Sequence, residues 1–208
     1  DDPDFPGLKT AVTQYDGHVI ETTGLIKMDF LGLKTLSEMK EACKVIKQTT
    51  GDVVDLDTIP IDDELTYQLY QRGQTIGTFQ FESPGMQKYL RELKPTVFED
   101  LIAMNALYRP GPMEYIPNFI ARKHGLEPVT YDIADMEEYL SDTYGITVYQ
   151  EQVMQICREL AGFSFGQADN VRRAMSKKKH KVMEAEREHF VHGCTEPGKE
   201  CAGCVKKG

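Results

Sequence analysis

Residues 83–100 read SPGMQKYLRELKPTVFED, and this stretch decides the fold class. Ser83 has the side chain of a helix cap, and Pro84 fits the first turn, where no backbone donor is needed. Met86, Leu90 and Leu93 recur at the spacing of one helical face, so they predict a buried stripe. Pro95 stops that helix. Thr96, with Glu99 three residues on, has the spacing of a capping box for a second helix that carries Ile102 and Leu107. Two capped amphipathic helices within so short a span predict a helical domain.

The same grammar extends downstream. YRPGPM (108–113) must be a sharp turn, because two prolines and a glycine cannot continue a helix. A helix is expected near 114–124, restricted in its first turn by Pro117 and ended by Gly125. Residues 126–144 are acidic and less regular. VYQEQVMQICREL (148–160) predicts a helix with Val153, Ile156 and Leu160 on one side, and Ser164 caps another that carries Val171, Arg172, Arg173 and Met175. HKVMEAEREHFVHG (180–193) predicts a last, strongly charged helix.

Upstream, TIGTFQF (75–81) is a candidate short strand, and DDELTYQLYQRG (62–73) a helix capped by Asp62 or Asp63 and closed by Gly73. Leu36, Met39, Cys43 and Ile46 have helical spacing. GLIKMDF (24–30) alternates as a strand does: Ile26, Met28 and Phe30 on one face, Lys27 and Asp29 on the other. The expected class is mainly α, α+β overall, with about nine helices and two or three short strands.

Composition narrows the function. With 33 acidic residues against 24 Lys and Arg, the formal net charge is −9, which argues against a general nucleic-acid coat but leaves room for a local basic site. No apolar run is long enough for a membrane span, and DDPDFPGLKT lacks the apolar region of a signal peptide, so a cytoplasmic location is expected. Three of the five cysteines fall in the last fifteen residues, unlike a disulfide framework. The loop-like opening and the turn-like CAGCVKKG lead us to expect a piece of a larger protein.

Against that acidity, ADNVRRAMSKKKHK (168–181) holds six Lys and Arg and no acid from Arg172 onward. Such a run is stable when it is solvated at a helix end or paired with an anion. Arg172 and Arg173 lie inside an amphipathic helix, and the guanidinium fork suits phosphate oxygens. Lys177, Lys178 and Lys179 follow one turn later, and the group could grip a polyphosphate or a nucleic-acid backbone. Lys27 and Asp29 point the same way from a strand. They are either an ordinary solvent face or a phosphate-holding cation beside a carboxylate for a divalent metal. Asp4, Asp55 and Asp57 fall in loop-like segments without a strand pattern. His192, Cys194, Cys201 and Cys204 form H-x-C-x6-C-x2-C, which could close a structural Zn²⁺ site or could be reduced thiols in a surface loop. Tyr144, Tyr149, Gln150 and Gln152 could stack on a base or could be packing. Cys43 and Cys157 fit apolar helix faces.

Several of these stretches together resemble one family: KMDFLGLKTL (27–36), GTFQFESPGM (77–86), FEDLIAMNALYRPGPM (98–113), FIARKHG (119–125), TYGITVYQEQVMQI (143–156) and AGFSFGQADNVRRAMSKKK (161–179). The family is the C family of DNA polymerases, the bacterial replicative DNA polymerase III alpha subunits. The resemblance runs from about residue 11 to about 190. It implies that residues 1–35 are the end of a palm of the polymerase-beta-like nucleotidyltransferase type, that 36–190 are helical fingers, and that 191–208 are a Cys-containing tail outside the family pattern. It implies that Asp29 is the third catalytic aspartate and a Mg²⁺ ligand, and that Lys27, Arg172 and Arg173 hold the triphosphate of an incoming dNTP. Lys177, Lys178 and Lys179 would reinforce the positive field, and TYGITVYQEQ would lie near the nascent base pair. Two Mg²⁺ ions are expected in the complete enzyme, held also by two aspartates outside this chain, so the isolated chain is expected to be inactive. The implied partners are primer-template DNA and dNTP and, for the whole protein, a sliding clamp, a proofreading exonuclease and clamp-loader subunits. A membrane partner is not expected. The competing reading of the same residues is a non-catalytic helical module that binds nucleic-acid backbone.

Overall fold

The computed structural model describes residues 6–9 and 11–192. The chain divides into two compact units, one ending at Thr58 and one beginning at Ile59, and each is described by itself. Among the described residues there are helices and turns and no strand.

In the first unit a short 3₁₀ turn, Ile20–Thr23, ends at Gly24, whose φ of 86° closes it. Residues 25–33 then run without regular structure into α1 (Lys34–Thr49). None of the described residues up to Thr58 is buried. This corrects the strand expected over 24–30. The alternation is present in the sequence, but its apolar members Ile26, Met28 and Phe30 are exposed, and among the described residues no second segment supplies the hydrogen bonds that make extended chain a sheet. Of the helical stripe on α1, Cys43 and Ile46 are half-buried while Leu36 and Met39 are exposed.

The second unit holds the core. α2 (Glu64–Gln71) begins at Asp63, which accepts the Thr66 amide at 2.7 Å, and the chain leaves it through Gly73 at φ 64°. The second expected strand, 75–81, is instead a run of tight turns. Thr78 and Phe81 amides bond back three residues, Gly77 and Gln80 sit at positive φ, and the Thr75 hydroxyl donates to the Phe81 carbonyl at 2.6 Å. Two positive-φ residues within 77–80 break an extended run.

α3 (Pro84–Leu93) starts at Ser83, which accepts the Met86 amide, and ends at Lys94 in the left-handed region just before Pro95. α4 (Phe98–Leu107) follows, and here one expectation is corrected: the side chain that closes its start is Asp100, not Glu99. A 3₁₀ turn, Pro112–Tyr115, leads into α5 (Ile116–Lys123). Met86, Leu90, Leu93, Met104, Leu107, Ile116 and Phe119 form a core in which none is more than 1% exposed. Each such side chain contributes roughly 1.5–3 kcal/mol through burial.

A single-turn helix, α6 (Glu137–Leu140), leads to α7 (Gln150–Ala161), α8 (Phe165–Ser176) and α9 (His180–His192). Gly162, left-handed at φ 68°, reverses the chain between α7 and α8. A second core of Cys157, Ala161, Phe163, Ala168 and Val171, flanked by Met183 and Phe190, joins these three helices. Cys157 is thus core, as its spacing indicates, and burial pushes its thiol up. No described helix is long and apolar enough to cross a membrane.

Candidate anion-binding site

Ser164 and Gln167 set the phase of α8. The Ser164 amide donates to the Gln167 side chain at 2.8 Å, and the Gln167 amide donates to the Ser164 hydroxyl at 3.3 Å. With that start, Ala168, Val171 and Ala174 turn inward to the core. Asp169, Arg172 and Arg173 therefore share the outer side, at the three- and four-residue spacings that bring helical side chains together.

One carboxylate gathers both arginines. Arg172 Nε and Nη2 lie 2.8 and 2.7 Å from Asp169 Oδ1, and Arg173 Nε lies 2.7 Å from Asp169 Oδ2. The Arg172 hydrogen bond, aided by both guanidinium charges, holds Asp169 below the usual carboxylate range. Arg172 Nη1 also donates to Gln150 Oε1 at 3.2 Å, across from the start of α7. Between these helices lies a recess of about 240 Å³ lined by Gln150, Val153, Arg172, Met175 and Ser176.

Lys177, Lys178 and Lys179 form the turn from α8 to α9. Lys178 is left-handed at φ 51°, and the Lys179 amide donates back to the Ala174 carbonyl at 2.9 Å. All three side chains are exposed, and no ion pair to them occurs among the described residues. Two arginines and three lysines against one aspartate leave this outer side strongly positive in a protein whose net charge is −9. Such a wall attracts anions, most strongly at low ionic strength.

The start of α7 is placed by a buried amide. Gln152, 5% exposed, accepts the Val148 and Tyr149 amides at 2.8 and 2.9 Å and donates to the Tyr139 carbonyl and the Thr143 hydroxyl at 3.1 and 2.9 Å. Its four hydrogen-bonding positions are thereby filled. Tyr144, left-handed at φ 52°, packs edge-on against Phe119, and its carbonyl accepts from Arg122 at 3.0 Å. Of the four residues singled out as packing or base contacts, Tyr144, Tyr149 and Gln152 are therefore packing and scaffold. Gln150 alone is exposed, and it faces Arg172.

In the first unit Lys27 Nζ lies 3.9 Å from Asp29 Oδ1, so the two do point the same way, and the Asp29 side chain is 86% exposed. An accessible carboxylate is the right donor for a hard divalent cation. It supplies one ligand only: no group of three or more His, Cys, Asp or Glu suited to a metal occurs among the described residues. Asp55 and Asp57 lie at a short turn, where Asp55 Oδ1 accepts the Asp57 amide. His192 ends α9 with Nε2 3.5 Å from Glu188, while Cys194, Cys201 and Cys204 lie outside the described residues.

Two ion pairs go beyond the sequence reading, one at the site and one in the core of the unit. Asp169 was legible in principle, because D-x-x-R-R is the spacing of a helical ion pair. Lys123, which reaches the buried Asp100 at 2.8 Å, was not, because the two are far apart in sequence.

Comparison with known proteins places the chain. Residues 35–198 match the family model of the bacterial DNA polymerase III alpha subunit finger domain. The chain is 52% identical over 192 residues to the DNA polymerase III subunit alpha of Thermus aquaticus, which covers 90% of this chain and 16% of that protein. It is 50% identical over 183 residues to that of Bacillus subtilis, covering 88% of this chain and 16% of that protein. With the Staphylococcus aureus protein it shares 46% identity over 187 residues, covering 90% and 18%. The chain thus spans less than a fifth of the curated relatives it matches. Its helical architecture, its capped α8 helix and this extent of identity agree: the chain belongs to the bacterial DNA polymerase III alpha subunit family and carries its finger domain.

Proposed function

We propose that this chain is the end of the palm, residues 1–35, and most of the fingers, 36–190, of a template-directed DNA polymerase, and that α8 binds the triphosphate of the incoming dNTP. The single observation that carries this reading is the pair Arg172 and Arg173, gathered on Asp169 on the outer side of a helix inside the matched finger domain. Arg172 and Arg173 offer N–H donors to phosphate oxygens, and Lys177, Lys178 and Lys179 add to the field. Donors fixed before the ligand arrives stabilise the charge that builds on the leaving pyrophosphate without reorganising. Lys27, in the first unit, is a cation suited to phosphate oxygens. Asp29 fits as one ligand of a divalent ion, with the remaining carboxylates outside this chain. Two Mg²⁺ ions, when bound, supply activation of the primer hydroxyl and charge stabilisation at the phosphorus. The working partners are primer-template DNA and dNTP; a sliding clamp, a proofreading exonuclease and clamp-loader subunits belong to the whole protein, at a cytoplasmic location.

The test is primer extension by the full-length polymerase carrying Arg172→Ala and Arg173→Ala. At about 1.5 kcal/mol for each lost charge-assisted contact, the KM for dNTP rises on the order of 100-fold. An unchanged KM contradicts the assignment. A second reading draws on the exposed Lys177–Lys179 turn, to which no ion pair occurs among the described residues: the basic helix contacts DNA backbone and no nucleotide. It predicts instead that the double variant loses DNA affinity, with a salt slope reduced by roughly 0.9 for each phosphate contact removed.

A further inference from the structure

The two arginines are adjacent in sequence but unequal in structure. Arg172 is braced at three nitrogens: Nε and Nη2 on Asp169 Oδ1, and Nη1 on Gln150 Oε1 across the α7–α8 junction. Its side chain is 32% exposed. Arg173 is tied at Nε alone, to the other oxygen of Asp169, and its side chain is 65% exposed. Among the described residues no other hydrogen bond or ion pair engages Arg173, so its two terminal nitrogens face solvent with four N–H donors. A guanidinium held by Nε keeps its direction, and the two terminal nitrogens are the edge that grips two oxygens at once.

We propose that Asp169 is a positioning residue that makes the pair unequal: it locks Arg172, with Gln150, into the α7–α8 scaffold, and it aims Arg173 as the arm that takes the polyphosphate. This rests on the reading of α8 as the triphosphate site and assigns separate work within it. Asp169 acts through the arginines and does not itself meet the ligand. Both of its oxygens are used, so neither a neutral amide nor a shortened side chain can replace it: Asn keeps one acceptor and turns the other position into a donor that opposes an arginine. Glu keeps both acceptors and the charge on a longer stem.

The experiment compares single variants of the full-length polymerase bound to primer-template, with dNTP affinity and DNA affinity measured separately. Arg173→Lys keeps the charge but loses the fork, and it is expected to weaken dNTP binding about 10-fold, the loss of one good contact. Arg172→Lys is expected to weaken it no more than about 3-fold, because Lys can still pair with Asp169. Asp169→Asn is expected to weaken dNTP binding about 5-fold with DNA affinity unchanged, and Asp169→Glu to recover most of that loss. A packing defect at Asp169 would not be rescued by the larger Glu. Equal losses from the two lysine variants, a larger loss from Arg172→Lys, or wild-type dNTP affinity in Asp169→Asn would overturn the division of labour. The double alanine variant separates the two levels: if it binds dNTP normally, the triphosphate reading itself fails, whereas if it is defective while the single variants are equal, only the division of labour fails.

Discussion

Lys123→Met is expected to destabilise the helical unit by about 3–5 kcal/mol. The Asp100 side chain is 2% exposed and that of Lys123 is 9% exposed, with Nζ 2.8 Å from Oδ2. The same oxygen accepts the Thr96 and Val97 amides at 2.9 and 3.3 Å, so it closes the start of α4 while Lys123 ties in the end of α5. Methionine fills nearly the same volume but leaves a buried carboxylate without its cation, and that uncompensated charge sets the magnitude. The exposed Lys44–Glu41 pair, at a similar 3.2 Å, is worth at most ~1 kcal/mol, since solvent screens it. Equilibrium urea unfolding of the 208-residue chain, followed by helical circular dichroism, measures the difference. Adding Asp100→Asn to Lys123→Met should recover part of the loss, because the stranded charge is gone while an acceptor for the two amides remains. A Lys123→Met chain within about 1 kcal/mol of the parent would refute the claim that this pair is buried and coupled.

Other expectations follow from the same geometry. Gln152→Leu strands the Val148 and Tyr149 amides and should cost at least ~2 kcal/mol by the same unfolding assay. Gly73→Ala should destabilise by ~1–3 kcal/mol, because the added Cβ would lie 2.8 Å from the Gln87 carbonyl at a left-handed φ of 64°. Asp169 is held low chiefly by its bond from Arg172, and Glu127 chiefly by its bonds from Asn118 and Arg122. A depressed carboxyl stabilises the fold above its unfolded-state pKa, and that contribution is lost as pH falls through the folded-state value. Carbon-detected NMR titration should therefore show both groups ionised down to pH values below the usual carboxylate range, and Arg172→Ala should move Asp169 upward.

Much of this architecture is legible because its signals are local. Ser83, Asp63 and Ser164 each cap the helix that their position indicates, and Met86, Leu90 and Leu93 are buried as their spacing requires. The failures are non-local. Thr96 and Glu99 satisfy the capping-box spacing, yet Asp100 does the work, because Lys123 on another helix neutralises it there. GLIKMDF alternates as a strand does, but alternation describes only the faces of a strand, and the pairing that would make it one is not encoded in the segment. In sequence TYGITVYQEQ leaves packing and base contact both open. It is mostly scaffold, since Gln152 spends its four hydrogen bonds inward and leaves Gln150 facing out. The arginine pair was visible as charge, but its inequality depends on Gln150, which only the packing of α7 on α8 brings near.

The most direct test of the central claim is equilibrium dNTP binding to the full-length polymerase held on primer-template DNA, with and without Arg172→Ala plus Arg173→Ala, in parallel with DNA binding by the same proteins. The account predicts that dNTP affinity falls about 100-fold while DNA affinity falls less than about 5-fold. Unchanged dNTP affinity together with a large loss of DNA affinity would contradict it and would make α8 a backbone-binding helix.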